Sequence, residues 1–280
     1  KDSVCKVVEV GVCKNKRVNQ WYFNNAALDF NYDPPQAVST SAMGTGYMEG
    51  SASIADTNGV LLFYTMGDNI WDATNTLMPN GTDLWVPTWN SDAQPAVIIP
   101  DPANYNLYYV FTNDYIYSGF RYHVVDMTLR SGLGDVDPAK KDIILKTATM
   151  EQTCALRHAN KTDYWVVVRS GITKLTTYLV SASGVSAGTD YTIGPSDISS
   201  LSGTMKASPD GTRLALGYKT TAGGRYLMYD FDPCTGVPSN PQTLENNTDG
   251  AWAVEFSSDG SKLYAMDLIK WDIFQWDLDK

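Results

Sequence analysis

Long apolar runs are missing from this 280-residue chain. Nothing in it approaches the roughly 20 consecutive apolar residues that a membrane-spanning helix needs. Positive charge is also scarce: 21 basic residues stand against 31 acidic ones, for a net charge of −10 and a pI of about 4.6. A phosphate backbone would be repelled overall, which argues against nucleic acid as a partner. Histidine occurs twice and cysteine four times. There is no Gly-x-Ser-x-Gly elbow, no phosphate-binding P-loop and no Cys-x-x-Cys pair, so the usual local signatures of acyl transfer, nucleotide binding and thiol redox chemistry are absent. Long amphipathic helical stretches are lacking too. The chain opens at Lys1 without a secretory leader, which reads as a processed product or a piece of a longer protein.

What is present is a repeat. Aromatics make up 12% of the chain, with 17 Tyr, 8 Trp, 22 Gly and 13 Pro, a composition suited to strands joined by many turns. Lys206-Ala-Ser-Pro-Asp-Gly-Thr-Arg-Leu-Ala-Leu216 and Val254-Glu-Phe-Ser-Ser-Asp-Gly-Ser-Lys-Leu-Tyr264 align without a gap. Looser copies cover Ala52–Phe63, Ala96–Tyr109 and Ala155–Val166. Taking Asp56, Asp101, Asn160, Asp210 and Asp259 as equivalent turn residues, the copies are spaced by 45, 59, 50 and 49 residues. Asp and Asn fold back onto the backbone and Gly reaches positive φ, so each unit reads as a hairpin between two strands. A second strand pair follows, at Arg121–Met127, Thr176–Val180, Arg225–Phe231 and Ile273–Leu278.

The spacing predicts an all-β fold, a β-propeller of four-stranded antiparallel blades. Five repeats are visible, as part of a six- or seven-bladed ring. The innermost strands are expected at Ala52–Ala55, Ala96–Ile99, Ala155–Arg157, Met205–Ala207 and Val254–Phe256. Trp21–Phe30 is the one spare strand able to serve as a clasp, but with one or two blades missing beyond Lys280 the chain is expected to form an open arc in which it does not pair beside Ile273–Leu278. Residues 1–20 read as a linker or the end of a preceding module, and residues 21–280 as the propeller, incomplete at its C-terminus.

The phrases Trp21–Phe30, Glu49–Asp56, Leu61–Thr65, His158-Ala-Asn160 with Asp163–Val166, and the Ser-Pro-Asp-Gly hairpin resemble the N-terminal β-propeller of large secreted Bacteroidetes proteins. Such proteins often end in a gliding-motility-associated or type IX secretion sorting domain. The resemblance implies export and display at the cell surface, with a protein or glycan ligand, or other modules of the same polypeptide, as partner. No cofactor is expected, with Ca²⁺ or Mg²⁺ as the alternative.

Several motifs read more plainly than they first suggest. Trp71-Asp72, Trp271-Asp272 and Trp276-Asp277 lack the Gly-His partners and regular spacing of WD40 repeats. Asp56-Thr-Asn-Gly59 begins like a calcium loop, but Gly67 stands where the closing Glu is required. His123 and His158 read as structural imidazoles, and Lys14–Arg17 as a solvated basic turn. Cys5 and Cys13 would lie roughly 26 Å apart on one extended strand, unless Gly11 breaks it. Cys154 and Cys234 read either as a disulfide or as buried, idle thiols.

Four carboxylates form the one constellation with enzymatic potential. Glu49, Asp92, Glu151 and Asp249 each precede a repeat turn by a similar distance, placing them near the mouth of a central channel. There they could hold Ca²⁺ or Mg²⁺ and activate water, as in lactonase-type propellers. The plainer reading makes them solvated loop acids and the chain a non-catalytic binding or structural module for adhesion or gliding-related surface assembly.

Overall fold

A computed structural model describes residues 15–38, 41–44, 49–84, 92–114, 119–196, 202–220, 223–248 and 250–279. The chain divides into two compact units, one of Glu9–Thr147 and one of Ala148–Lys280 together with Lys1–Val8. Among the described residues each unit holds three antiparallel sheets.

In the first unit, β1 (Gln20–Phe23), β2 (Ala26–Asp29) and β3 (Gln36–Val38) form one sheet. The next is β4 (Ala52–Ala55), β5 (Leu61–Thr65) and β6 (Ile70–Asp72). The third joins β7 (Ala96–Pro100), β8 (Leu107–Asp114) and β9 (Gly119–Asp126), with β10 (Asp135–Val136) and β11 (Ile143–Lys146) both paired to β9. The second unit starts with β12 (Thr153–Arg157), β13 (Tyr164–Gly171) and β14 (Lys174–Ser181), the last paired to both β15 (Gly184–Val185) and β16 (Thr189–Thr192). Then come β17 (Met205–Ala207), β18 (Arg213–Thr220), β19 (Gly223–Asp232) and β20 (Val237–Thr248), and finally β21 (Ala251–Phe256), β22 (Lys262–Asp267) and β23 (Ile273–Asp277). No described helix is long and apolar enough to cross a membrane.

The five anticipated innermost strands are β4, β7, β12, β17 and β21. Each runs into its turn as the sequence predicts. The turn side chain accepts from the amide two residues on: Asn58 N to Asp56, Ala103 N to Asp101, Thr162 N to Asn160, Thr212 N to Asp210 and Ser261 N to Asp259, at 2.7 to 3.0 Å. Gly211 and Gly260 both adopt φ of 72°, the left-handed region where a Cβ is strained.

The antiparallel blades form as predicted; among the described residues one sheet shows four strands, three show three, and in two others the outermost position is divided between two short strands. Two expectations change. Trp21–Phe30 is not a spare strand. It forms the hairpin of a sixth sheet, with Trp21 opposite Leu28, while β23 takes its hydrogen bonds from β22. A sixth repeat turn explains why. Arg17 N donates to Asn15 Oδ1 (3.2 Å), the same bond as in the other five turns, and Asn15 precedes Asp56 by 41 residues. The strand leaving that turn is β1, which runs antiparallel to β4: Ala55 N donates to Arg17 O, and Ser53 and Ser51 hydroxyls donate to Gln20 O and Tyr22 O. β1 thus holds the second-strand position of its sheet. Arg17, read as part of a solvated turn, instead lies over the Tyr108 ring and donates to its hydroxyl at 2.9 Å.

Sheets within a unit pack face to face. Ile54 and Phe63 meet Tyr108 and Val110 in the first unit. In the second, Trp165 and Val167 meet Leu214 and Leu227, and Ala215 and Tyr226 meet Val254 and Leu263. Interior strands are therefore apolar on both faces, as in β13, where Trp165 to Arg169 are all buried. Replacing Gly211 or Gly260 by Val should lower stability by about 1 to 2 kcal/mol each. Denaturant unfolding checks this, and unchanged stability in both variants would contradict the turn geometry.

Candidate functional site

The carboxylates nominated from sequence fall in different parts of the structure. Glu49 and Asp92 lie on adjoining loops of the first unit: the backbone at Gly50 passes so close that a Cβ there would meet Pro95 Cδ at 2.4 Å and Ala93 O at 2.6 Å. Asp92 is buried, and Glu49 is exposed with its carboxyl pKa raised by partial burial. Glu151 belongs to the second unit, where it is 1% exposed and accepts from Gly203 N at 3.1 Å. Gly203 has φ of 130°, and a Cβ there would stand 2.2 Å from Gly217 O, so bare backbone is required beside this carboxylate. Asp249 lies outside the described residues. Among the described residues, no group of three or more His, Cys, Asp or Glu side chains is placed to hold a metal ion.

The second unit also buries polar side chains that the sequence did not single out. Gln152 and Arg169 are buried, and the Arg169 guanidinium lies 5.3 Å from the centre of the Tyr218 ring and donates to Ile172 O. Burial pulls the Arg169 pKa down to about 10. The one signal was a cation closing the apolar run Val166-Val-Val-Arg169, unusual for a strand buried on both faces.

His123 has the outline of a catalytic triad without its chemistry. Its Nε2 is 3.0 Å from Thr112 Oγ1, and its Nδ1 is 3.7 Å from an Asp142 carboxylate oxygen. A general base needs a free lone pair on the nitrogen facing the hydroxyl. Here Asp142 N donates to Nδ1 at 3.1 Å, so Nδ1 is the acceptor and the proton sits on Nε2, donated to Thr112. Burial, with Arg121 and Lys141 nearby, drives the His123 pKa down to about 3. His158 uses the same tautomer: Asn160 N donates to Nδ1, and Nε2 donates to Cys234 O at 3.0 Å. Both histidines are structural, as expected. Cys154 is a buried free thiol whose pKa burial pushes up to about 12, leaving it protonated and inert. Cys234 is disulfide-bonded, with a partner outside the described residues, so the Cys154–Cys234 pairing does not form.

No protein-family model and no curated protein matches the chain. Solved structures do. A functionally unknown protein from Desulfotomaculum acetoxidans aligns over 97% of this chain and 84% of its own, at 12% identity and a TM-score of 0.53. The periplasmic gluconolactonase PpgL of Pseudomonas aeruginosa aligns over 90% and 73%, at 12% identity and a TM-score of 0.53. Hsv2p of Kluyveromyces lactis aligns over 94% and 72%, at 10% identity and a TM-score of 0.51. At such identities the likeness defines the fold alone: the chain is a β-propeller protein.

The fold holds His123 neutral, whereas the unfolded chain takes up a proton below pH 6.5, its ordinary value. Stability therefore falls as pH drops from about 6.5 toward 3, by at most about 5 kcal/mol from this residue. In His123→Gln, the slope of unfolding free energy between pH 6.5 and 4.5 should flatten. An unchanged slope would contradict the buried neutral imidazole.

Proposed function

We propose that the chain is a non-catalytic binding or structural module of an exported protein, displayed at a bacterial cell surface, where it engages a protein or glycan ligand or further modules of its own polypeptide. The observation that carries this reading is where the reactive groups lie: both histidines are tied up in backbone hydrogen bonds and the free thiol is buried. The Cys234 disulfide favours an oxidising compartment, and thus export. The resemblance to secreted Bacteroidetes propellers agrees with this and suggests a role in adhesion or gliding-related assembly.

A second reading, a divalent-metal hydrolase of the lactonase kind, draws on two buried carboxylates, Asp92 and Glu151, on loops that lead into innermost strands. Calorimetry with Ca²⁺ and Mg²⁺, followed by a lactone-hydrolysis assay, separates the two. The binding-module reading expects no hydrolysis above background and no metal-dependent gain in stability. A gain of about 2.7 kcal/mol at 100 times Kd, abolished by Asp92→Asn or Glu151→Gln and accompanied by turnover, would replace it with the hydrolase.

A further inference from the structure

Cys234 is disulfide-bonded, and Cys154 is a free, buried thiol. The chain has four cysteines. The partner of Cys234 is therefore Cys5 or Cys13, both of which lie outside the described residues.

The Cys234 end of this bond is held rigidly. It sits in the turn between β19 and β20, where Asp232 Oδ1 accepts from Cys234 N at 2.8 Å and Asp232 Oδ2 accepts from Thr235 Oγ1 at 2.7 Å. The turn is also fastened to the neighbouring sheet of its unit. Pro233 O accepts from Ala159 N at 3.0 Å and from Trp165 Nε1 at 2.9 Å, and Cys234 O accepts from His158 Nε2 at 3.0 Å. Whatever is bonded to Cys234 is thus anchored to two sheets at once.

The division of the chain separates the two candidates. Lys1–Val8, which contains Cys5, belongs to the compact unit that holds Cys234, whereas Glu9–Thr147, which contains Cys13, makes up the other. Cys13 also stands two residues before Asn15, at a turn tied into the first unit by Lys16 N donating to Thr57 O at 3.4 Å. Two residues of chain span at most about 7 Å, which keeps Cys13 beside that turn. Cys5 is ten residues from Asn15, a reach of about 35 Å.

We infer that Cys5 is the partner, and that a Cys5–Cys234 disulfide fastens the segment before β1 to the β19–β20 turn. Forming the S–S bond removes two protons and two electrons from the two thiols, and a disulfide-bearing oxidoreductase of an oxidising compartment accepts them. The cross-link closes a loop containing most of the chain, which restricts the unfolded state. It leaves Cys13 with no partner in this chain. The inference holds whatever the module binds.

Trypsin separates all four cysteines: Cys5 falls on residues 2–6, Cys13 on 7–14, Cys154 on 147–157 and Cys234 on 226–262. The full chain, purified from an oxidising compartment, is alkylated in denaturant without reductant, digested and analysed by mass spectrometry. It should yield 2–6 joined to 226–262, with Cys13 and Cys154 alkylated. Melting gives a second readout. Cys5→Ser and Cys234→Ser should lower the melting temperature by the same amount and the double variant no further, because each removes the same bond, while Cys13→Ser should leave it unchanged. Residues 7–14 joined to 226–262, an alkylated Cys234, or a loss of melting temperature in Cys13→Ser that Cys5→Ser does not share would overturn the inference.

Discussion

A side-chain oxygen that folds back to the amide two residues ahead is the contact on which the architecture turns. At Asp56, Asp101, Asn160, Asp210 and Asp259 it fixes where one strand stops and the next begins, and at Asn15 it sets the turn that leads into β1. Register follows from that point, because a slip of one residue would move every side chain to the opposite face. With register set, Trp165 and Val167 point toward Leu214 and Leu227, and Ala215 and Tyr226 toward Val254 and Leu263. Glycine reinforces the device where the chain must turn left-handed, and neighbouring sheets lean on the turns. Asn31 donates to Gly59 O in the turn after β4, and Gly236 leaves room for the Trp165 ring, which a Cβ there would meet at 2.6 Å.

The strength of each turn signal decided how much of the fold could be read from sequence. Asp210-Gly211 and Asp259-Gly260 combine an Asx oxygen, a glycine and alternating apolar strands, so strands, register and positive φ were all legible. Asn15 has the oxygen but neither glycine nor apolar flanks, standing among Lys14, Lys16 and Arg17. The turn into β1 was therefore missed and Trp21–Phe30 was misread as a spare strand. The site was less legible still. Which histidine nitrogen carries the proton is decided by the amides of Asp142 and Asn160, and no residue pattern reveals that. The burial of Glu151, Gln152 and Arg169 is likewise set by packing, and a propeller's repeat says nothing about which polar side chains end up buried.

Function sits differently from fold in this protein. Both histidines and the free thiol are bound up in holding strands and turns. The acidic overall charge leaves nucleic acid an unfavourable partner. Similarity to a gluconolactonase and to Hsv2p at 10 to 12% identity is what a widely reused scaffold produces, and it carries no substrate with it.

The central claim is that six turns of one kind organise the protein, the turn at Asn15 included. The most direct measurement is the unfolding free energy of a parallel series replacing Asn15, Asp56, Asp101, Asn160, Asp210 and Asp259 by Ala, one at a time. Loss of one such hydrogen bond should cost each variant about 1 kcal/mol. A series in which the five later positions lose stability and Asn15→Ala does not would contradict the claim that Asn15 opens a sixth repeat.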